Sequence, residues 1–150
     1  MSIKCSSCAK AQTFFTVATD FVNVHGRDFC KPCGEQFVNE VTAKIMITTT
    51  NSFDGYSIAR YIDIESVEIV IGTGIFTEWG GGLADFFGQR STGFERKLQQ
   101  AKQTAFKKLK YLAFEKGGNA VVGVDIDYTE FSGNRIGLIA NGTLVAIEKE

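Results

Sequence analysis

Apolar residues recur along the C-terminal part of this chain with two different periods. From Phe94 to Lys116, at about 100° per residue, Phe94, Leu98, Ala101, Ala105, Leu109 and Leu112 fall on one stripe, and Phe106 and Ala113 widen its edge. This spacing predicts one long amphipathic helix, whose stripe needs a sheet to cover. Gly117-Gly118-Asn119 ends it as a turn. The run AVVGVDIDY then alternates, which places Ala120, Val122, Val124, Ile126 and Tyr128 on one face and Val121, Gly123, Asp125 and Asp127 on the other.

Upstream, IMITT reads as a strand and the run from Tyr56 to Gly72 as a long one. Ile58, Ile62 and Ile64 hold even positions, whereas Val67, Ile69 and Ile71 hold odd ones. The buried face must flip between them, so a bulge or turn is expected near Glu65-Ser66. RIGLIANGTLVAI is interrupted at Asn141-Gly142, either by a hairpin turn or by a bulge in one bent strand; the bulge is preferred, because each half alone is short. The glycine-rich GTGIFTEWGGGLADFFGQRSTG reads as an ordered crossing with a short helical turn. Gly72 and Gly74 do not complete a dinucleotide fingerprint, since Thr77 stands at the third glycine position, and no Lys-Ser/Thr pair closes a P-loop. The expected architecture is α+β: a βαββ-type two-layer domain over residues 43–150, with one long helix on an antiparallel or mixed sheet.

The first 42 residues follow a different logic. Cys5-x2-Cys8 and Cys30-x2-Cys33 put two thiolate pairs on tight turns, an arrangement in which four sulfurs can converge tetrahedrally on Zn²⁺. The residues between the pairs hold short β-prone runs and a His25-Gly26 turn. EQFVNEVTA, after Gly34, reads as a short helix with Phe37, Val38 and Val41 near one face. A hairpin between the pairs and a helix after the second fit a treble-clef module better than a plain ribbon. Iron suits the same ligands, and a redox dithiol is the other reading. Neither pair sits beside a βαβ pattern, and four cysteines leave no need for His25, so structural zinc is expected. The segment from Gly34 to Lys44 lacks a flexible composition and should connect the two parts semi-rigidly.

Composition limits the function classes. The chain has 150 residues, 44% of them apolar, and a formal charge of −1, so no global field draws nucleic acid or an anionic membrane. No apolar run approaches the ~20 residues of a bilayer span, and MSIKCSSCAK lacks the apolar segment of a signal peptide. A cytoplasmic location, with reduced cysteines, is expected. Asp125 and Asp127 share a strand face and could hold a hard cation or serve acid–base chemistry, but no nucleophile or base accompanies them. They are expected instead to be structural acceptors, in a network with loop amides or Arg90. Arg90 and Ser91 are expected to cap the long helix and anchor its loop rather than to receive an anion. Tyr111 and Phe114 fall opposite the helix's core stripe, either as scattered exposures or as a contact surface. KQTAFKKLK reads as a solvated basic face.

ITTTNSFDG, GxxIF at Gly72 to Phe76, GxRS at Gly88 to Ser91, FExKLxxAxxxAF at Phe94 to Phe106, NAVVGVDIDY, and NGT at Asn141 to Thr143 occur in an order that resembles the YbjQ-like family. Its members are small proteins labelled heavy-metal-binding, of unsettled biochemical role. The resemblance spans about residues 45–150 and implies a compact α/β subunit of ring-shaped homopentamers; it implies no enzyme. Gly74, Thr77 and Ala84 stand where the family pattern has an asparagine and two arginines, which removes basic side chains from the crossing. The cysteines lie outside the resemblance, and the matching region has neither cysteine nor histidine, the ligands a soft metal prefers. Association has an independent reason: strands 58–71 and 120–128 are apolar on both faces, and one helix covers only one. Three readings result. The first is a non-catalytic, oligomeric binding protein with a zinc module on Cys5, Cys8, Cys30 and Cys33. The others are an adaptor that binds a protein or nucleic acid through that module, and an enzyme using the Asp125/Asp127 face.

Overall fold

The computed structural model describes residues 3–11, 21–71, 94–131 and 135–150. The crossing at 72–93, with the helix capping expected of Arg90 and Ser91, lies outside the described residues, as do 12–20 and 132–134. The described residues divide into two compact units, 3–11 with 21–40, and 41–71 with 94–131 and 135–150.

In the first unit, β1 (Phe21–Val24) and β2 (Arg27–Cys30) form an antiparallel hairpin, and α1 (Lys31–Ala43) follows directly. The hairpin turn is His25-Gly26, with φ of 51° and 74°. Positive φ at both central residues is the two-residue turn whose twist matches paired strands. The helix begins before Gly34, earlier than its apolar pattern suggests, because Pro32 is tolerated in a first turn, where no intrahelical N–H bond is required.

The second unit is α+β. Its sheet has the order β3-β5-β6-β4, from β3 (Met46–Ile47), β4 (Tyr56–Ile71), β5 (Ala120–Phe131) and β6 (Arg135–Lys149); β3 runs parallel to β5, and the other pairs are antiparallel. One long helix, α2 (Phe94–Glu115), packs on it. Ala101, Ala105, Leu109 and Ala113 on its stripe are fully buried against Val67, Ile69, Val121, Val124, Leu138, Ala140 and Leu144. The three alanines let the helix lie close to the strands. After the helix, Gly117, at φ 78°, donates its N–H to Phe114 O (3.1 Å), and Gly118 donates to Ala113 O (2.7 Å). Those two bonds satisfy carbonyls that a helix end leaves open. Asn119 then extends the strand ladder with its side chain, as Nδ2 donates to Ile147 O (2.8 Å) and Oδ1 accepts from Ile147 N (2.7 Å).

Three expectations about strand faces are corrected. The alternation of β5 is broken by a register shift between Val122 and Asp125, at Gly123 with φ 61°. Val121 therefore shares the helix-facing core with Val124 and Ile126, while Ala120 and Val122 point away. In β4 the irregularities fall between Ile58 and Arg60 and between Tyr61 and Asp63, not at Glu65-Ser66. Ile62 consequently packs in the core, and Ile64 is 78% exposed on the opposite face. In β6, Asn141-Gly142 is neither a turn nor a shift relative to β4; β6 is continuous, and the bulge belongs to β5 opposite it.

The outer face, away from α2, is only partly covered. At one end Ala120, Val122, Val145 and Ile147 pack with Met46, Phe53, Tyr56 and Ile58, so the connection between β3 and β4 closes a second small core. Beyond it, Tyr61 and Val70, 70% and 50% exposed, remain on this face with Ile64.

Gly142 shows how tightly the bulge is packed. A Cβ there would lie 2.6 Å from Val121 Cγ1 and 3.3 Å from Val124 Cγ2. Val121 is a stiff, fully buried β-branched residue. Gly142→Ala is therefore expected to lower unfolding stability by about 1–3 kcal/mol, the usual cost of overpacking. Denaturant titration checks this. In a Val121→Ala background the same substitution should cost clearly less, and an equal cost in both backgrounds would contradict the packing account.

Candidate metal centre

Each half of the centre is built by a different backbone device. Around the first pair, the Cys5 N–H donates to Lys10 O (2.9 Å), the Ala9 N–H donates to Cys5 O (3.0 Å), and Lys4 pairs with Ala11 in an isolated antiparallel bridge. Ala9 adopts φ 58°, the left-handed conformation that turns the chain back after Cys8. The Ser6 N–H donates to Asp28 O (2.7 Å), which fixes this small loop to β2. The second pair straddles the junction of β2 and α1: Cys30 is the last strand residue, and Cys33 lies in the first helical turn. Backbone N–H groups there lack intrahelical partners and favour negative charge nearby.

An aromatic stack sets the helix on the hairpin. Phe29 and Phe37 lie 5.1 Å apart at 18°, and the Arg27 guanidinium sits 4.6 Å from the Phe37 ring centre and 5.4 Å from that of Phe29. The apolar pattern placed Phe37 on a helix face but gave no sign of Arg27. Only the alternation of β2, which puts Arg27 and Phe29 on one side, could have suggested it.

The thiol sulfurs of Cys5, Cys8, Cys30 and Cys33 all lie within 4.8 Å of one another, and Cys8 Sγ is 3.7 Å from Cys30 Sγ. Four sulfurs at about 2.3 Å from a tetrahedral zinc stand about 3.8 Å apart, so the set has the size and ligand type for that ion. His25 is not one of the group.

The thiols feel each other. At Cys5 burial pushes the pKa up, but the backbone N–H groups of Cys8, Cys30 and Ser7 and the Cys8 thiol outweigh it, and the value falls to about 6. Cys33 is pushed up to about 12, first by the Cys30 and Cys8 side chains, then by burial and by Cys5. Without a cation the cluster cannot hold every sulfur as thiolate. A divalent ion removes that penalty.

The other candidate positions among the described residues do not form a metal site. Among the described residues, the cysteines are the only group of three or more potential ligands close enough to share a metal. Asp125 and Asp127 are exposed on the outer face, opposite Asn141 and Ile139 of β6, and the expected network with Arg90 lies outside the described residues. Tyr111 is 2% exposed, not on an open surface, and its ring lies 6.2 Å from that of Phe114, which packs against the main core. Burial, and after it the nearby Glu115 carboxylate, raise the Tyr111 pKa. Sequence reasoning also missed Lys116, at the end of α2, which bonds Asp63 Oδ2 (2.6 Å) and the Glu65 carboxylate; the bond to Lys116 holds Asp63 below its ordinary pKa.

Comparisons with known proteins concern the second unit. A family model described as "Putative heavy-metal-binding" matches residues 45–148. A UPF0145 protein of Acetivibrio thermocellus is 38% identical over 106 residues, 69% of this chain and 100% of that protein. A UPF0145 protein of Bifidobacterium longum is 43% identical over 108 residues, 70% of this chain and 97% of its own. A solved structure of a DUF74-family protein of unknown function from Pediococcus pentosaceus ATCC 25745 is similar with a TM-score of 0.46 and 18% identity, over 69% of this chain and 98% of that one. The family match leaves out all four cysteines.

Metal binding should be coupled to protons, because Cys33 is protonated at neutral pH and must ionise to ligate. A ligand whose pKa is lowered by metal contributes affinity above the lowered value and loses it as pH falls through that value. Calorimetric zinc titrations in buffers of different ionisation enthalpy should therefore show net proton release at pH 7, and affinity should weaken steadily toward acid pH. Zinc uptake without proton release would contradict ligation by Cys33.

Proposed function

We propose, on the premise that this chain belongs to the YbjQ-type family of heavy-metal-binding description, that it is a non-catalytic, oligomeric binding protein carrying an added structural zinc module. The convergence of Cys5, Cys8, Cys30 and Cys33 carries this reading. A knuckle bearing two cysteines, a hairpin, and a helix whose first turn bears the last cysteine is the treble-clef arrangement, and zinc is the ion that four thiolates most commonly hold as a closed structural site. The module's buried apolar side chains among the described residues are Cys5, Val22, Val24, Phe29, Cys30 and Val38. So short a list favours a metal as part of what holds the module together.

The exposed outer-face residues Tyr61, Ile64 and Val70 favour association, since a neighbouring copy would bury them. A closed ring of heterologous contacts is the expected form, and the number five comes from the family resemblance. The adaptor reading is the alternative. It draws support from the position of the cysteines outside the matched region, since the relative from Acetivibrio thermocellus is matched over its whole length by 106 residues. No apolar helix long enough to cross a membrane occurs among the described residues.

Two measurements on the full-length protein test the proposal. Removing metal with a chelator should abolish amide-exchange protection in residues 21–40 while protection in β5 and β6 persists; unchanged protection in the first unit would overturn the structural role. Light scattering at micromolar concentration should give a closed oligomer, and Ile64→Asp, at a position already exposed, should shift it toward monomer. A folded wild-type monomer would overturn the ring.

A further inference from the structure

The four sulfurs are not equally protected. Cys5 and Cys30 are buried, Cys33 is half-buried, and Cys8 is exposed. Cys8 belongs to the small loop closed by the Ala9 to Cys5 hydrogen bond, whereas Cys30 is anchored where β2 meets α1. Their sulfurs are 3.7 Å apart, and a disulfide at about 2.0 Å needs only a short movement of the loop. Metal loss would remove the ion that the four sulfurs share at the junction of loop, strand and helix.

We infer that the tetrad is an oxidant-responsive metal site, at which a small peroxide reaches exposed Cys8, releases the metal and closes a Cys8–Cys30 disulfide. The inference rests on the zinc reading. In the first step the Cys8 thiolate sulfur attacks one oxygen of hydrogen peroxide; an S–O bond forms, the O–O bond breaks, and the departing hydroxide takes a proton to become water. In the second, the Cys30 thiolate attacks the Cys8 sulfenic sulfur; the S–S bond forms, the S–O bond breaks, and the second hydroxide leaves as water after protonation. Two thiolates lose two electrons in total, one peroxide becomes two waters with uptake of two protons, and the divalent metal departs without changing its oxidation state. The disulfide is reversible by thiol exchange, so a dithiol reductant and zinc restore the starting state.

The experiment uses full-length protein purified under reducing conditions, with zinc counted by native mass spectrometry before hydrogen peroxide is added. A chromogenic chelator follows zinc release, and peptide mapping identifies the first disulfide. The expected result is release of one zinc per chain in step with a Cys8–Cys30 disulfide, reversed by dithiothreitol and zinc. Cys8→His keeps a Cys3His ligand set and should slow release by roughly tenfold or more, whereas Cys5→His, at a buried position, should slow it far less. Zinc retained under peroxide, or a first disulfide other than Cys8–Cys30, would overturn the switch and leave the zinc reading standing. Absence of zinc from the reduced protein would overturn both.

Discussion

Thiolates crowded within 4.8 Å of one another repel, and among the described residues of the first unit only a few apolar side chains, Val22, Val24, Phe29 and Val38, are buried beside them. Its hairpin is four residues to a strand, and the Arg27–Phe29–Phe37 stack joins its helix to the hairpin. A cation that neutralises the sulfurs turns the least stable feature of the module into the one that ties knuckle, hairpin and helix together. The divergent thiol pKa values, about 6 at Cys5 and about 12 at Cys33, describe the same conflict from the side of the protons.

The family domain is held together differently. Its helix covers one face through a stripe that includes three alanines, and the bulge at Gly123 rotates β5 so that Val121 and Val124 both reach that face. Gly142 makes room for them. The outer face is left with a small core under Phe53 and, beyond it, a run of exposed aliphatic and aromatic side chains. In this chain residues 45–148, the part that matches the family, contain neither cysteine nor histidine. The four clustered cysteines lie outside that region.

Periodicity carried much of the fold into view. The long helix, the span of β4 and the continuity of β6 follow from 3.6- and 2-residue patterns that extend over many residues. Strand phase was harder, for a physical reason: Ala120, Val121, Val122 and Val124 are all apolar, so hydrophobicity cannot say which of them faces the helix. Gly123 was the only local sign of a bulge. Ile64 misled in the same way, because its side chain is apolar yet 78% exposed. Tyr111, expected on the open side of the helix, is buried, an outcome that helical spacing alone cannot reveal. The cysteine spacing was legible because ligand geometry tolerates few other arrangements.

The central claim is that these four sulfurs close around one zinc ion. X-ray absorption at the zinc edge of the full-length, metal-loaded protein tests it most directly. The account predicts a single shell of four sulfur neighbours at about 2.3 Å. A first shell with oxygen or nitrogen in place of sulfur would contradict it, and so would protein whose cysteines are paired as two disulfides with no metal bound.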